Sequence, residues 1–157
     1  MADQAEAQRA GVTGLQALRS IIAGDRSGPA ISRVLNFRME SAEEGAVTFI
    51  GTPLPDFANP AGTVHGGWYG TVLDSCMTCA VLSRLPAGRG CTTLEFKVNI
   101  LRPIPYGTEV RATGRTQHVG RRTGVAIGEL IGVEDGRLYA TGSTTCAVLD
   151  LPPGAAF

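Results

Sequence analysis

Lysine is nearly missing from this chain: among the 14 Lys and Arg residues in 157, only Lys97 is a lysine. The basic residues are matched by 14 acidic ones, so no net field draws in nucleic acid or an anionic membrane, and neither is expected as a partner. Any anion must be bound locally, and arginine, which pairs bidentately with phosphate and carboxylate, is the group available. No run approaches the ~20 apolar residues of a membrane span. The polar start, Met1 to Arg9, lacks the basic region and apolar stretch of a secretory signal. These absences predict a cytoplasmic protein in which Cys76, Cys79, Cys91 and Cys146 are reduced thiols. With only His65 and His118 and no clustered ligand spacing, no metal is expected. No Lys-Ser/Thr pair follows Gly62, Gly66 and Gly67, which argues against a phosphate loop.

What remains is enough for a packed core, with 43% hydrophobic residues and no repeat or separating linker. A single domain over 1–157 is expected, with residues 1–30 an extension carrying a helix and 31–149 the core. Leu15, Leu18, Ile21 and Ile22 have helical spacing in Val12 to Gly24, where Gly24 stops the run. Ile31 to Ser41 and Ala46 to Gly51 read as strands joined around Glu43-Glu44-Gly45, followed by a proline-rich loop to Pro60. From Gly66 to Arg84 apolar residues cover most of a helical surface, so this helix belongs inside. Four strands follow, Thr92 to Leu101, Glu109 to Gln117, Gly124 to Glu134 and Leu138 to Leu149, with Asp135-Gly136 as a hairpin signal. An antiparallel sheet wrapped around one central helix is the economical α+β arrangement.

The chemistry concentrates in NPAGTVHGGWYGTVLD, Asn59 to Asp74. Gly66 and Gly67 open the buried helix, and without side chains they let a carbonyl approach N–H groups that lie at the positive end of the helix dipole. Such donors suit a developing oxyanion, although glycines also permit tight packing of a helix start. Asp74, the one acid between Asp56 and Glu95, lies in apolar surroundings. It is either satisfied by Thr71, Ser75 or Thr78, or kept for acid–base or nucleophilic work. Asn59 offers an amide to orient water or hold an oxygen, and is also a common turn residue before proline. His65 serves either to position Asn59 or the leaving thiol, or to anchor its loop. Cys76-Met77-Thr78-Cys79 has redox-motif spacing but falls inside the helix, so small core residues are expected there.

Asn59, Gly62, His65-Gly66-Gly67 and Asp74, set in this element order, resemble the hotdog-fold acyl-CoA thioesterases, in particular their phenylacetyl-CoA (PaaI-like) branch. The resemblance spans roughly Ile31 to Leu149. It implies hydrolysis of an aromatic or medium-chain acyl-CoA to free acid and coenzyme A, with no cofactor beyond the CoA of the substrate. It implies a catalytic set of Asp74, Asn59, His65, Gly67 and Thr93. Thr93 is the strand residue that assists the carboxylate, and its neighbour Thr92 lies on the opposite face; β propensity also explains a threonine there. Gly66, Trp68, Arg102, Arg121 and Arg122 are the expected contacts to substrate or CoA, against the alternatives of core packing for Trp68 and solvated surface for the arginines.

Helical rise puts Asp74 ~10 Å beyond Gly67, too far for one carbon to meet both, so a two-fold axis is expected to bring Gly67 of one copy near Asp74 of another. The resemblance implies the same shared site, in a homodimer or a dimer-of-dimers tetramer. Two other functions compete. A hotdog hydratase or dehydratase would carry an Asp five residues before the His, where this chain has Pro60. A non-enzymatic acyl-CoA-binding module would bind without turnover.

Overall fold

A computed structural model of the protein describes residues 11–152; the polar run Met1 to Arg9 lies outside them. Helix α1, Gly14–Ala23, begins where Thr13 and Gln16 bond each other's backbone N–H groups, and it ends at Gly24 with φ 84°. That left-handed value is the C-terminal stop glycine supplies most readily. The expected strand Ile31 to Ser41 is a correction: Ala30–Val34 forms a short helix, α2, and strand β1 is Phe37–Glu43. Ile31 and Val34 stand three apart, a helical spacing, and Asn36 separates the two elements at φ 52°. Asparagine tolerates that conformation, and its side-chain amide donates to the Thr52 carbonyl at 2.8 Å.

Strand β2 (Ala46–Gly51) precedes a 3-10 turn (Pro55–Phe57) and the central helix α3 (Gly66–Leu82). Strands β3 (Arg89–Ile100), β4 (Val110–Val119), β5 (Thr123–Gly132) and β6 (Leu138–Asp150) follow. The hairpin expected at Asp135-Gly136 forms, with Gly136 at φ 65°. All six strands join one antiparallel sheet in the order β1-β2-β4-β5-β6-β3. The sheet curls around α3, whose Val72, Leu73, Cys76, Met77, Ala80 and Val81 are wholly buried. Close approach requires glycine on the sheet: a Cβ on Gly114 would stand 2.2 Å from the Cys76 carbonyl oxygen. No helix among the described residues is long and apolar enough to cross a membrane.

The two sheet edges differ. Helix α1 lies against β1, and Arg19 Nε donates to the Ala42 carbonyl at 3.2 Å. Among the described residues strand β3 pairs only with β6, and it exposes Leu94, Phe96 and Ile100 along its other side. A bulge interrupts β3: Thr93 faces Cys146 and Glu95 faces Thr145, leaving Leu94 as the extra residue, 62% exposed. The insertion switches which alternate residues look inward. Thr93 faces α3 before it; after it the Phe96 ring stands 3.2 Å from where a Gly70 Cβ would be, and Ile100 reaches Gly66.

Candidate active site

Helix α3 is buried except along Gly66, Gly67, Thr71, Asp74, Ser75, Thr78 and Cys79. Most of these recur at three- and four-residue steps, one face of the helix. Thr71 donates its hydroxyl to the Gly67 carbonyl at 2.9 Å and Ser75 to the Thr71 carbonyl at 2.7 Å, so neither serves Asp74. The carboxylate's partners are Thr93, whose hydroxyl donates to Oδ1 at 2.8 Å, and Thr78, at 3.2 Å to the same oxygen. The two threonine hydroxyls lie 2.9 Å apart. Asp74 Oδ2 has no hydrogen-bond partner among the described residues, and the residue is only part-buried. A carboxylate so held is aligned by its neighbours while one oxygen remains open to water or substrate.

The helix start is organised differently. His65 is the N-cap of α3, and its Nδ1 accepts the Gly67 N–H at 2.9 Å. The expectation that Gly67 offers a free donor is therefore corrected, because an imidazole two residues back reaches that N–H more easily than anything else nearby. The N–H of Gly66 has no such partner among the described residues. Asn59 is likewise turned inward on its loop. Its Oδ1 accepts from the Ala61 and Thr63 N–H groups at 2.9 and 3.1 Å, and its amide donates to Thr63 Oγ1 at 2.9 Å. This is the turn-forming role of asparagine.

Trp68 is also corrected: it is 2% exposed, with its indole N–H donating to the Leu35 carbonyl at 2.8 Å, and it touches no open surface. A large ring one residue past the glycines lands on the inward face of the helix. Of the thiols, Cys76, Cys91 and Cys146 are buried and Cys79 is half-buried against the core. Burial, and then the charge of Asp74, pushes Cys79 up to about 12, and burial raises Cys76 as well. Among the described residues no three His, Cys, Asp or Glu side chains gather as a metal site.

The arginines fall into two groups. Arg102, just past β3, donates to the Leu138 carbonyl at 2.5 Å and borders a concavity of about 360 Å³ shared with Asn59, Gly66 and Ile100. Arg121 and Arg122 occupy the β4–β5 turn at the other end of β3. Arg89, which no motif singles out, donates there to the Arg121 carbonyl at 2.6 Å. The three border a second concavity of about 490 Å³. Thirteen residues of strand, ~40 Å, separate Arg89 from Arg102, so the arginines of one chain do not serve one ligand. Arg89 joins the turn only through pairing of β3 with β6 and β6 with β5, which leaves no local trace in sequence.

Comparison with known proteins agrees with this architecture. The thioesterase superfamily profile matches residues 61–138, the stretch holding the helix start, Asp74 and Thr93. A conserved protein of Pseudomonas aeruginosa is 30% identical, with 81% of this chain and 99% of that one covered and a TM-score of 0.73. The chain belongs to the thioesterase superfamily. A phenylacetic acid degradation-related protein of Ralstonia eutropha JMP134 is 29% identical, with a TM-score of 0.75 over 83% of this chain and 98% of that one. A Streptococcus mutans UA159 protein solved bound to acetyl-CoA is 27% identical, with a TM-score of 0.67 over 74% and 90%. A Caenorhabditis elegans protein provisionally named an esterase is 30% identical over 96 residues, 61% of this chain. That match spans only 56% of the worm protein.

Proposed function

We propose that the protein is an acyl-CoA thioesterase, acting on an aromatic or medium-chain acyl group, whose site is assembled from two copies of the chain. The observation that carries this reading is Asp74, gripped at one oxygen by Thr93 and Thr78 with the other open, on the helix whose first residue keeps an uncommitted N–H. The similarity to a Streptococcus mutans UA159 protein solved bound to acetyl-CoA supports the choice of ligand.

In the proposed reaction the Gly66 N–H receives the thioester oxygen as it becomes an oxyanion. Asp74 takes a proton from water while the water oxygen attacks the carbonyl carbon. The tetrahedral intermediate then collapses, the C–S bond breaks, and the proton passes from Asp74 to the departing sulfur. Direct attack by the carboxylate would instead form a mixed anhydride that water opens. Single turnover in ¹⁸O-water separates the two, since only the anhydride route can place label in Asp74.

Eight residues of helix separate Gly66 from Asp74, ~12 Å, which one acyl carbon cannot bridge. The unpaired edge of β3 supplies a remedy. Along α3, Gly66 lies against Ile100, whereas Thr78 lies against Thr93. A two-fold axis through the middle of β3 reverses the strand, setting the Ile100 end of one copy beside the Thr93 end of the other. Gly66 of one chain and Asp74 of its mate then face a common space. A homodimer suffices, and a pair of such dimers keeps the same sites. Purified protein offered a panel of aromatic and aliphatic acyl-CoA thioesters should release free thiol. Binding of the thioesters without release would instead make the protein a carrier of acyl-CoA.

A further inference from the structure

Tyr69 carries a hydrogen-bond donor that the fold leaves unused. Its side chain is 2% exposed, and its hydroxyl oxygen accepts the Ile104 N–H at 2.8 Å. A phenol has a proton to give as well as lone pairs to receive, and among the described residues no acceptor takes the proton of Tyr69. A buried donor without an acceptor is costly, and a bound ligand oxygen removes the cost. Burial raises the pKa of this phenol above its ordinary value, against the smaller opposing effect of the Ile104 N–H, so the proton is held at neutral pH. Three residues separate Tyr69 from Gly66, which puts both on one side of α3, and a long helical side chain leans toward the N-terminus, over the preceding turn. Tyr69 therefore reaches back toward the helix start. Its ring meets Trp68 edge-on, and the bond to Ile104 fixes its hydroxyl next to Pro103. Tyr69, Gly66 and Pro103 border the same concavity of about 360 Å³. Two uncommitted donors thus open on one space, while Asn59 on the same wall is spent on its own loop.

We infer that Tyr69 is a catalytic residue, a second oxyanion donor that gives its O–H to the thioester oxygen received by the Gly66 N–H. This rests on the thioesterase reading above. As the water oxygen adds to the carbonyl carbon, the π pair of the C=O bond moves onto oxygen and both donors tighten on it, neither losing its proton. When the intermediate collapses, the pair re-forms the C=O bond and the C–S bond breaks, with the proton passing from Asp74 to sulfur. Tyr69 and Gly66 lie on one chain, so the two donors approach the acyl group together and Asp74 of the other copy approaches it separately.

Tyr69→Phe keeps the ring and deletes the donor. Its kcat for thioesters should fall about 10²-fold with KM changed less than about twofold. The second readout is the infrared carbonyl band of a bound, non-hydrolysable acyl-CoA ketone, with CH₂ in place of the thioester sulfur and ¹³C at the carbonyl. Hydrogen bonds to a carbonyl lower its stretching frequency, so the band should rise in Tyr69→Phe and in Gly66→Pro. A residue that only anchors Ile104 would lower the melting temperature and leave kcat and the band in place. A ring-fluorinated tyrosine incorporated at position 69 keeps the acceptor for Ile104, so it tests the donor even where Tyr69→Phe fails to fold; as a stronger O–H donor it should lower the band further. Unchanged kcat and band in a folded Tyr69→Phe protein, or an unchanged band with the fluorinated ring, overturns the inference and leaves the thioesterase reading standing. A wild type that hydrolyses no thioester overturns that reading and the inference with it.

Discussion

In the middle of helix α3 a carboxylate is gripped by hydroxyls from two elements, Thr78 on its own helix and Thr93 on β3. At the helix start, by contrast, His65 bonds the Gly67 N–H and Asn59 bonds its own loop. The first region is a carboxylate supported from outside, the way a reactive side chain is held in one orientation. The second is a loop that satisfies itself, so most of its polar residues are explained by structure alone. What escapes that explanation is the Gly66 N–H. The difference between the two regions teaches that motif residues adjacent in sequence divide into those whose polar groups are used up locally and those that keep a group open.

Breaking the first region should have the largest effect. Asp74→Asn keeps the size of the side chain and an acceptor for the threonines, yet it cannot take a proton; thioester turnover should fall by about 10³, measured as free-thiol release by a protein of unchanged melting temperature. Next comes Gly66→Pro. Proline is favoured at the first helical position, His65 already has the extended backbone, φ −62° and ψ 136°, that precedes proline, and the change deletes the one N–H in question. Turnover should drop by about 10² to 10³ with melting temperature nearly unchanged; full activity would remove Gly66 as the oxyanion donor.

Smaller losses are expected from the supports. Thr93→Val removes the shorter hydroxyl bond to Asp74 and should cost about tenfold in kcat, on the order of 1 to 1.5 kcal/mol, with Thr78→Val less severe and the pair together greater than either. The least severe is His65→Ala. Loss of the helix cap should cost about 1 kcal/mol of stability, or about 2–4 °C in melting temperature, with kcat altered far less than in Gly66→Pro. A His65 variant as inactive as Asp74→Asn would erase the distinction between the two regions.

Much of this was legible in the sequence. The buried helix and the succession of strands along the chain followed from apolar periodicity and turn signals, whereas the contact of Thr93 with Asp74 was what the thioesterase resemblance implied. The short helix at Ala30–Val34 was missed because Ile31 and Val34 are apolar in either conformation, and only the reversal at Asn36 decides between them. That the Gly67 N–H is bonded while that of Gly66 is not depends on the orientation of the His65 side chain, which no sequence pattern encodes. Arg89 was invisible because its neighbours are brought by strand pairing across more than thirty residues.

The central claim, that Gly66 of one chain works with Asp74 of another, is tested most directly by mixing subunits. Asp74→Asn and Gly66→Pro proteins, each inactive alone, are co-refolded in equal amounts, and heterodimers are confirmed by differential tags. Half of the dimers are then mixed, and each mixed dimer has one intact site, so the account predicts recovery of roughly a quarter of wild-type turnover. Confirmed heterodimers with no recovery would contradict it.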